Sequence, residues 1–216
     1  MRFLSLLYTG LMLSAWASLG LAQTARPLAA SDSAARARAR ADSAQLPYTA
    51  ADVQFMTGMI SHHAQAIVMA KMAPTHGASA AVQTLCSRII NSQHDEIVLM
   101  QNWLRDRNQP VPDAKPTPMK MVMNGQVMEM LMPGMLTDEQ MKQLDAAHGT
   151  DFDKLLLRGM IQHHRGAITM VQQLFATPGA AQDELVFKFA NNVNVDQTTE
   201  IRRMQQMLLT EELEAR

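Results

Sequence analysis

Two histidine pairs, His62-His63 and His163-His164, each stand in a frame of methionines, Met59 and Met69 around the first and Met160 and Met170 around the second. Imidazole nitrogen and thioether sulfur are copper donors: thioethers select Cu(I), while imidazoles accept Cu(II), zinc or iron as well. A lone histidine on an apolar face is usually a satisfied core group. Four, duplicated with their methionine neighbours, point to metal ligation. Met119, Met121, Met128 and Met130 alternate along a short stretch where β-branched residues would pack a strand better, and so join the candidate donors. The chain holds 19 methionines against two tyrosines. For residues such as Met56 and Met207, filling an irregular core is explanation enough.

These donors must be held by helices. Phe55 to Met69 and Leu156 to Met170 are copies at one fixed offset, with Gly58/Gly159, Met59/Met160, Ile60/Ile161, His62/His163, His63/His164, Ala66/Ala167, Ile67/Ile168 and Met69/Met170 identical. At about 100° per residue the first copy places Phe55, Met56, Met59, Ile60, Ala66, Ile67, Met69 and Ala70 on one half of a helix. Both histidines share that half, and Thr57, Gly58, Ser61, Gln65 and Val68 take the other. Thr49 with Asp52 forms a capping-box pattern at the start, and Thr150 with Asp153 repeats it. Each helix ends at a turn, Pro74-Thr-His-Gly77 and Thr177-Pro-Gly179. The second helix of each hairpin carries a packing seam, Cys86, Ile90, Gln93, Ile97, Met100 and Leu104 in one and Ala190, Asn194, Gln197, Ile201, Met204 and Leu208 in the other. Gln93 and Gln197, polar groups on that seam, are expected to hydrogen-bond the imidazoles.

Neither hairpin buries its apolar stripe alone, so the expected fold is all-α, a four-helix bundle built from hairpins over 49–107 and 137–213. A Met-rich insert spans 109–136: an extended Pro-rich run, then a β-ribbon turning at Asn124-Gly125 that pairs Met121 with Met128 and Met119 with Met130. Thr137 to Gln140 should open a short helix leading into the second hairpin. Residues 1–22 read as an export signal, a short basic start, an uncharged apolar run and small residues at its end. Residues 23–46, rich in Ala, Ser and Arg, read as a flexible tether before a domain over 47–216.

The charge balance, 19 basic against 20 acidic residues, gives no footprint for nucleic acid. Cys86 is single, so no internal disulfide forms, and it reads as a small buried apolar residue. Di-iron chemistry needs Glu-x-x-His, and the residues three before the paired histidines are Met59, Ile60, Met160 and Ile161. There is no Cys-x-x-Cys-His for haem, no nucleophile–base arrangement and no Gly-rich phosphate loop.

The repeated Met-Ile-x-His-His-x-x-Ala-Ile-x-Met, with Gln-x-x-Glu-Ile-x-x-Met in each second helix (Gln93 to Met100, Gln197 to Met204), resembles the domain of unknown function 305 family over about Thr49 to Leu209. CopM-like members of that family are exported copper-binding helical bundles, some implicated in copper resistance. The resemblance implies a ferritin-like four-helix bundle and a metal role for Met59, His62, His63, Met69, Met160, His163, His164 and Met170. The expectation is an exported, periplasmic or secreted protein that sequesters or hands on copper, as Cu(I) and also Cu(II), without turnover. Its partners would be copper ions and another copper-handling protein, with no nucleic acid and no membrane after signal cleavage. A Cu(I) oxidase or metal reductase, and a metal-free sensory or interaction bundle, are the alternatives from other classes.

Overall fold

The computed structural model describes residues 47–123 and 126–214, together with the single residue Arg38. The expected signal over 1–22, the rest of the tether and the Asn124-Gly125 turn lie outside the described residues. Among those described, five helices and one ribbon follow in order: α1 (Ala50–Lys71), α2 (Ala80–Asp106), β1 (Met119–Met123), β2 (Gln126–Met130), α3 (Asp138–Ala146), α4 (Gly149–Ala176) and α5 (Glu184–Glu214). The chain is mostly helical, as its 3.6-residue periodicity requires. No described helix is long and apolar enough to cross a membrane.

α1 starts where its cap says it should. Thr49 N–H donates to Asp52 Oδ2 at 2.7 Å, and Asp52 N–H donates to Thr49 Oγ1 at 3.3 Å. The repeated cap at Thr150 does not form: the N-cap falls two residues earlier, at His148, which makes no side-chain cap bond, and α4 begins at Gly149. Asp153 instead reaches across to the other hairpin, accepting Ser79 N–H at 3.0 Å where α2 begins. Asp52 does the reciprocal, accepting Ala181 N–H at 2.7 Å ahead of α5. Each first helix thus holds the start of the other hairpin's second helix. The two hairpins are stitched together by equivalent aspartates.

α1 packs on α2, α4 on α5, and α1 on α4. Two apolar clusters result. One gathers Phe55, Met59 and Ile60 of α1, Ile97 to Leu104 of α2, Ala167 to Leu174 of α4 and Val186 to Val193 of α5. The other gathers Ala66 to Ala70 of α1, Val82 to Ile89 of α2, Phe152 to Ile161 of α4 and Ile201 with Met204 of α5. α1 runs from the first cluster to the second and α4 runs back, so the two are antiparallel. On all four helices the residues between the clusters include buried polar ones: His62 and His63, Gln93, His163 and His164, Gln197. A polar layer crosses the middle of an otherwise apolar interior.

The ribbon pairs Met119 with Met130, Lys120 with Glu129, Met121 with Met128 and Val122 with Val127. From it residues 131–136 return as a strap over α1 and α4. Gln65 clamps the strap, its amide donating to Leu136 O at 2.9 Å and its oxygen accepting Leu136 N–H at 2.7 Å. At Gly166 the strap comes so near that a Cβ would stand 1.8 Å from Pro133 O. Only glycine fits there. The half of α1 that carries Thr57, Gly58, Ser61, Gln65 and Val68 is therefore largely covered: Gly58, Ser61 and Gln65 are buried, with Ser61 Oγ 2.9 Å from Thr117 Oγ1. Of the five residues named on that half, Thr57 is half-buried and Val68 exposed.

Candidate metal centre

All four paired histidines are fully buried. His62 and His163 meet across the α1–α4 contact with ring centroids 3.8 Å apart and planes tilted 37°. Their chain neighbours turn outward to the second helices: His63 Nε2 lies 2.7 Å from Glu96 Oε2, and His164 Nε2 lies 2.6 Å from Glu200 Oε2. His62 Nε2 donates to Pro133 O at 2.9 Å. A carbonyl can only accept, so the His62 proton sits on Nε2, and a carboxylate accepting from Nε2–H selects the same tautomer in the neutral rings of His63 and His164. In that tautomer Nδ1 is left with the lone pair. The Nδ1 atoms of His62, His63, His163 and His164 are all buried without a hydrogen-bond partner, and His163 Nε2 is unpartnered too.

Burial first, then the neighbouring His63, pushes the His62 imidazole down to about 3 from its ordinary 6.5. His163 is held well below its ordinary value by burial and then by His62. Both rings are therefore neutral at physiological pH, the state in which imidazole binds metal. Glu96 and Glu200 keep about a quarter of their side-chain surface in water. They line a cleft of about 280 Å³ between α2 and α5 with Asp196, Gln93 and Gln197. Partial burial, then Glu96 and Glu200, raises the Asp196 carboxyl above its usual range.

The expected glutamine–imidazole bonds are absent. Gln93 is buried with both amide atoms unpartnered, and Gln197 with its Oε1 unpartnered. The groups that hold the imidazoles are Glu96 and Glu200, three residues further along the same faces, which sequence reasoning left without a role. Their signal was the Gln-x-x-Glu spacing common to both second helices.

Met59 and Met170 lie in the first apolar cluster, Met69 and Met160 in the second, so each histidine pair has sulfur on both sides along its helix. Met170 reaches over Gly58 and Met69 over Gly159, each methyl within 3.4 Å of where a Cβ would be. On the ribbon, Met128 and Met130 are exposed, while Met119 is half-buried and its sulfur accepts from Gln54 Nε2 at 3.6 Å. The Met121 side chain lies outside the described residues. Among those described, no three His, Cys, Asp or Glu donors converge on one point.

The other histidines stand apart from this layer. His76 bonds the carbonyls of Met72 and Asp145 and stacks on His148 at 5.1 Å, and His94 is exposed. Burial, then Asp153, pushes the Cys86 thiol up to about 12, so it remains a protonated core residue.

Comparison with known proteins places this geometry in a family. A DUF305 protein from Streptomyces coelicolor, provisionally described as secreted, superimposes with a TM-score of 0.62 at 28% identity, over 75% of this chain and 94% of that one. A DUF305 fragment from Deinococcus radiodurans gives 0.60 at 29% identity, over 75% and 97%. CopM in its Cu(II)-bound form gives 0.55 at 26% identity, over 74% and 96%, and its Cu(I)- and Ag-bound forms match similarly. No curated protein matches the chain. Residues 52–208 match the family described as Domain of unknown function (DUF305), and the chain belongs to that family.

Proposed function

We propose that this protein binds copper and sequesters or delivers it outside the cytoplasm, in the periplasm or as a secreted protein, without turnover chemistry. The observation that carries the reading is the set of four buried Nδ1 atoms without partners. An unmade hydrogen bond at a buried polar group costs about 1–3 kcal/mol. A layer with so many is a poor way to stabilise a core that leucines would fill, and a good way to present lone pairs to a cation. Glu96 and Glu200, holding Nε2–H, make the carboxylate–histidine arrangement that orients a metal-binding ring. Soft sulfur at Met59, Met69, Met160 and Met170 suits Cu(I), and the imidazoles suit Cu(II) too.

The donors fit copper, but the rings as placed are closed. Two imidazoles sharing one tetrahedral ion at about 2.0 Å would have centroids roughly 5 Å apart. At 3.8 Å the His62 and His163 rings are too near, so loading moves at least one of them. The architecture we infer is the ferritin-like four-helix bundle of α1, α2, α4 and α5 around this layer, with the Met-rich ribbon as an insert. Copper-bound CopM supports the reading, as does the secreted description of the Streptomyces relative. The partner is copper itself, with a second copper-handling protein to give or take it.

Anaerobic titration of the purified protein with Cu(I) against a chromogenic chelator tests this. The expected result is saturable retention with no catalysed Cu(I) oxidation on admitting air. Retention no better than that of a helical protein lacking these donors would overturn it, and steady oxygen consumption would move the assignment to an oxidase.

A further inference from the structure

Three methionine side chains gather at one more place, away from the imidazoles. A Cβ built on Gly58 of α1 would stand 3.2 Å from Met132 Sδ, 3.4 Å from Met170 Cε and 3.5 Å from Met119 Cε. The three methionines come from the strap, α4 and β1. With no side chain at position 58, the Met132 sulfur and the Met170 and Met119 methyls all border the space over the α1 backbone. A cavity of about 410 Å³ bordered by Met119, Met130, Met132 and Met170 opens on one side of them. Another of about 380 Å³, bordered by Gly58, Met119 and Met132, opens on the other. An ion from solvent reaches the group without unfolding the core.

The repeat provides an internal comparison. At Gly159, the copy of Gly58, the same construction meets Leu136 Cδ2 at 3.1 Å and Met69 Cε at 3.2 Å. There leucine occupies the space that Met132 occupies at Gly58, so packing over a helical glycine in this fold does not itself call for three methionines. Met119 sulfur accepts a hydrogen bond from Gln54 Nε2 at 3.6 Å, a contact that an ion bound at this sulfur would replace.

We propose that Met119, Met132 and Met170 form a thioether site over Gly58 for a soft monovalent ion, Cu(I) or Ag(I), beside the imidazole layer, with Met170 serving this site rather than the layer. The proposal rests on the copper reading above and adds Met132 to its donors. Three neutral sulfurs favour the monovalent soft ion and reject Zn(II), which prefers imidazole, thiolate and carboxylate.

The test is Ag(I) titration of the purified protein carrying methyl-13C methionine, followed by NMR. The Met119, Met132 and Met170 methyl signals are expected to shift together with Ag(I) and to stay in place with Zn(II). Met132→Leu, which conserves volume, should retain one Ag(I) fewer than the unsubstituted protein; Met119→Leu, at a half-buried position, should do the same and guards against a folding defect in the first variant. A Met132 methyl that stays unmoved at saturating Ag(I), or full ion retention by both variants, overturns the site. If the protein retains ions while these methyls stand still, the copper reading survives and only this site falls. If it retains no Cu(I) or Ag(I), both fall.

Discussion

His62 shows what burial does to one residue. Its imidazole titrates at about 3 in the folded chain and near 6.5 when exposed. Between those values the unfolded chain takes up a proton that the folded one refuses, so stability rises with pH through this window and is lost as pH falls from about 6.5 toward about 3. His163 shifts in the same direction and adds to the effect. The His62 ring costs on the order of 1 kcal/mol of folding free energy per pH unit between about 6.5 and about 3. Urea unfolding at pH 7, 6, 5 and 4.5 should therefore give a steeper loss for the native chain than for His62→Gln, the slopes differing by about that amount. Equal slopes would mean that the ring is solvated. At this scale the sequence disclosed the histidines and their burial but not their partners. Gln93 and Glu96 are three residues apart on one helix face, and either can be drawn against an imidazole. The structure selects Glu96 because a carboxylate at the flank bonds the ring while keeping part of itself in water, whereas the seam position of Gln93 is dry.

At the scale of elements, the periodicity and caps delivered the helices closely: α1 from Thr49, α3 from Thr137 with Gln140 closing its capping box, and the ribbon register implied by Asn124-Gly125. The misreading of Thr150 and Asp153 has a physical cause. A local pattern says that a carboxylate can cap its own helix, and it is silent on a neighbouring hairpin that offers a backbone N–H at Ser79. The strap was invisible for the same reason. Gly166 occupies the place of Gln65 in the repeat, and the change makes sense only once Pro133 is seen lying on it. Gly166→Ala would drive a methyl into that carbonyl, so the strap must lift and His62 must lose its acceptor. A loss of about 1–3 kcal/mol in unfolding free energy is expected, the range for overpacking. The His62 Nε2–H signal should move with it in NMR spectra. A variant with unchanged stability and an unmoved His62 signal would show that the strap is not held against α4.

Across the whole molecule, the duplication puts equivalent groups on both sides of one layer: Glu96 with Glu200, His63 with His164, and Asp52 with Asp153. The halves differ where the single strap breaks the equivalence, giving His62 an acceptor at Pro133 that His163 lacks. His163 is thus the less restrained of the two facing rings and the one expected to move on loading. The account depends on the buried Nδ1 atoms being donors to metal rather than tolerated gaps in packing. Long-range 1H–15N NMR of the histidine side chains, recorded before and after adding Ag(I) as a diamagnetic stand-in for Cu(I), reads those atoms one by one. The account predicts that Nδ1 signals of His62, His63, His163 and His164 shift on binding while His94 stays where it was. Response from His94, His76 and His148 alone, with the four buried Nδ1 signals unmoved at saturation, would contradict it.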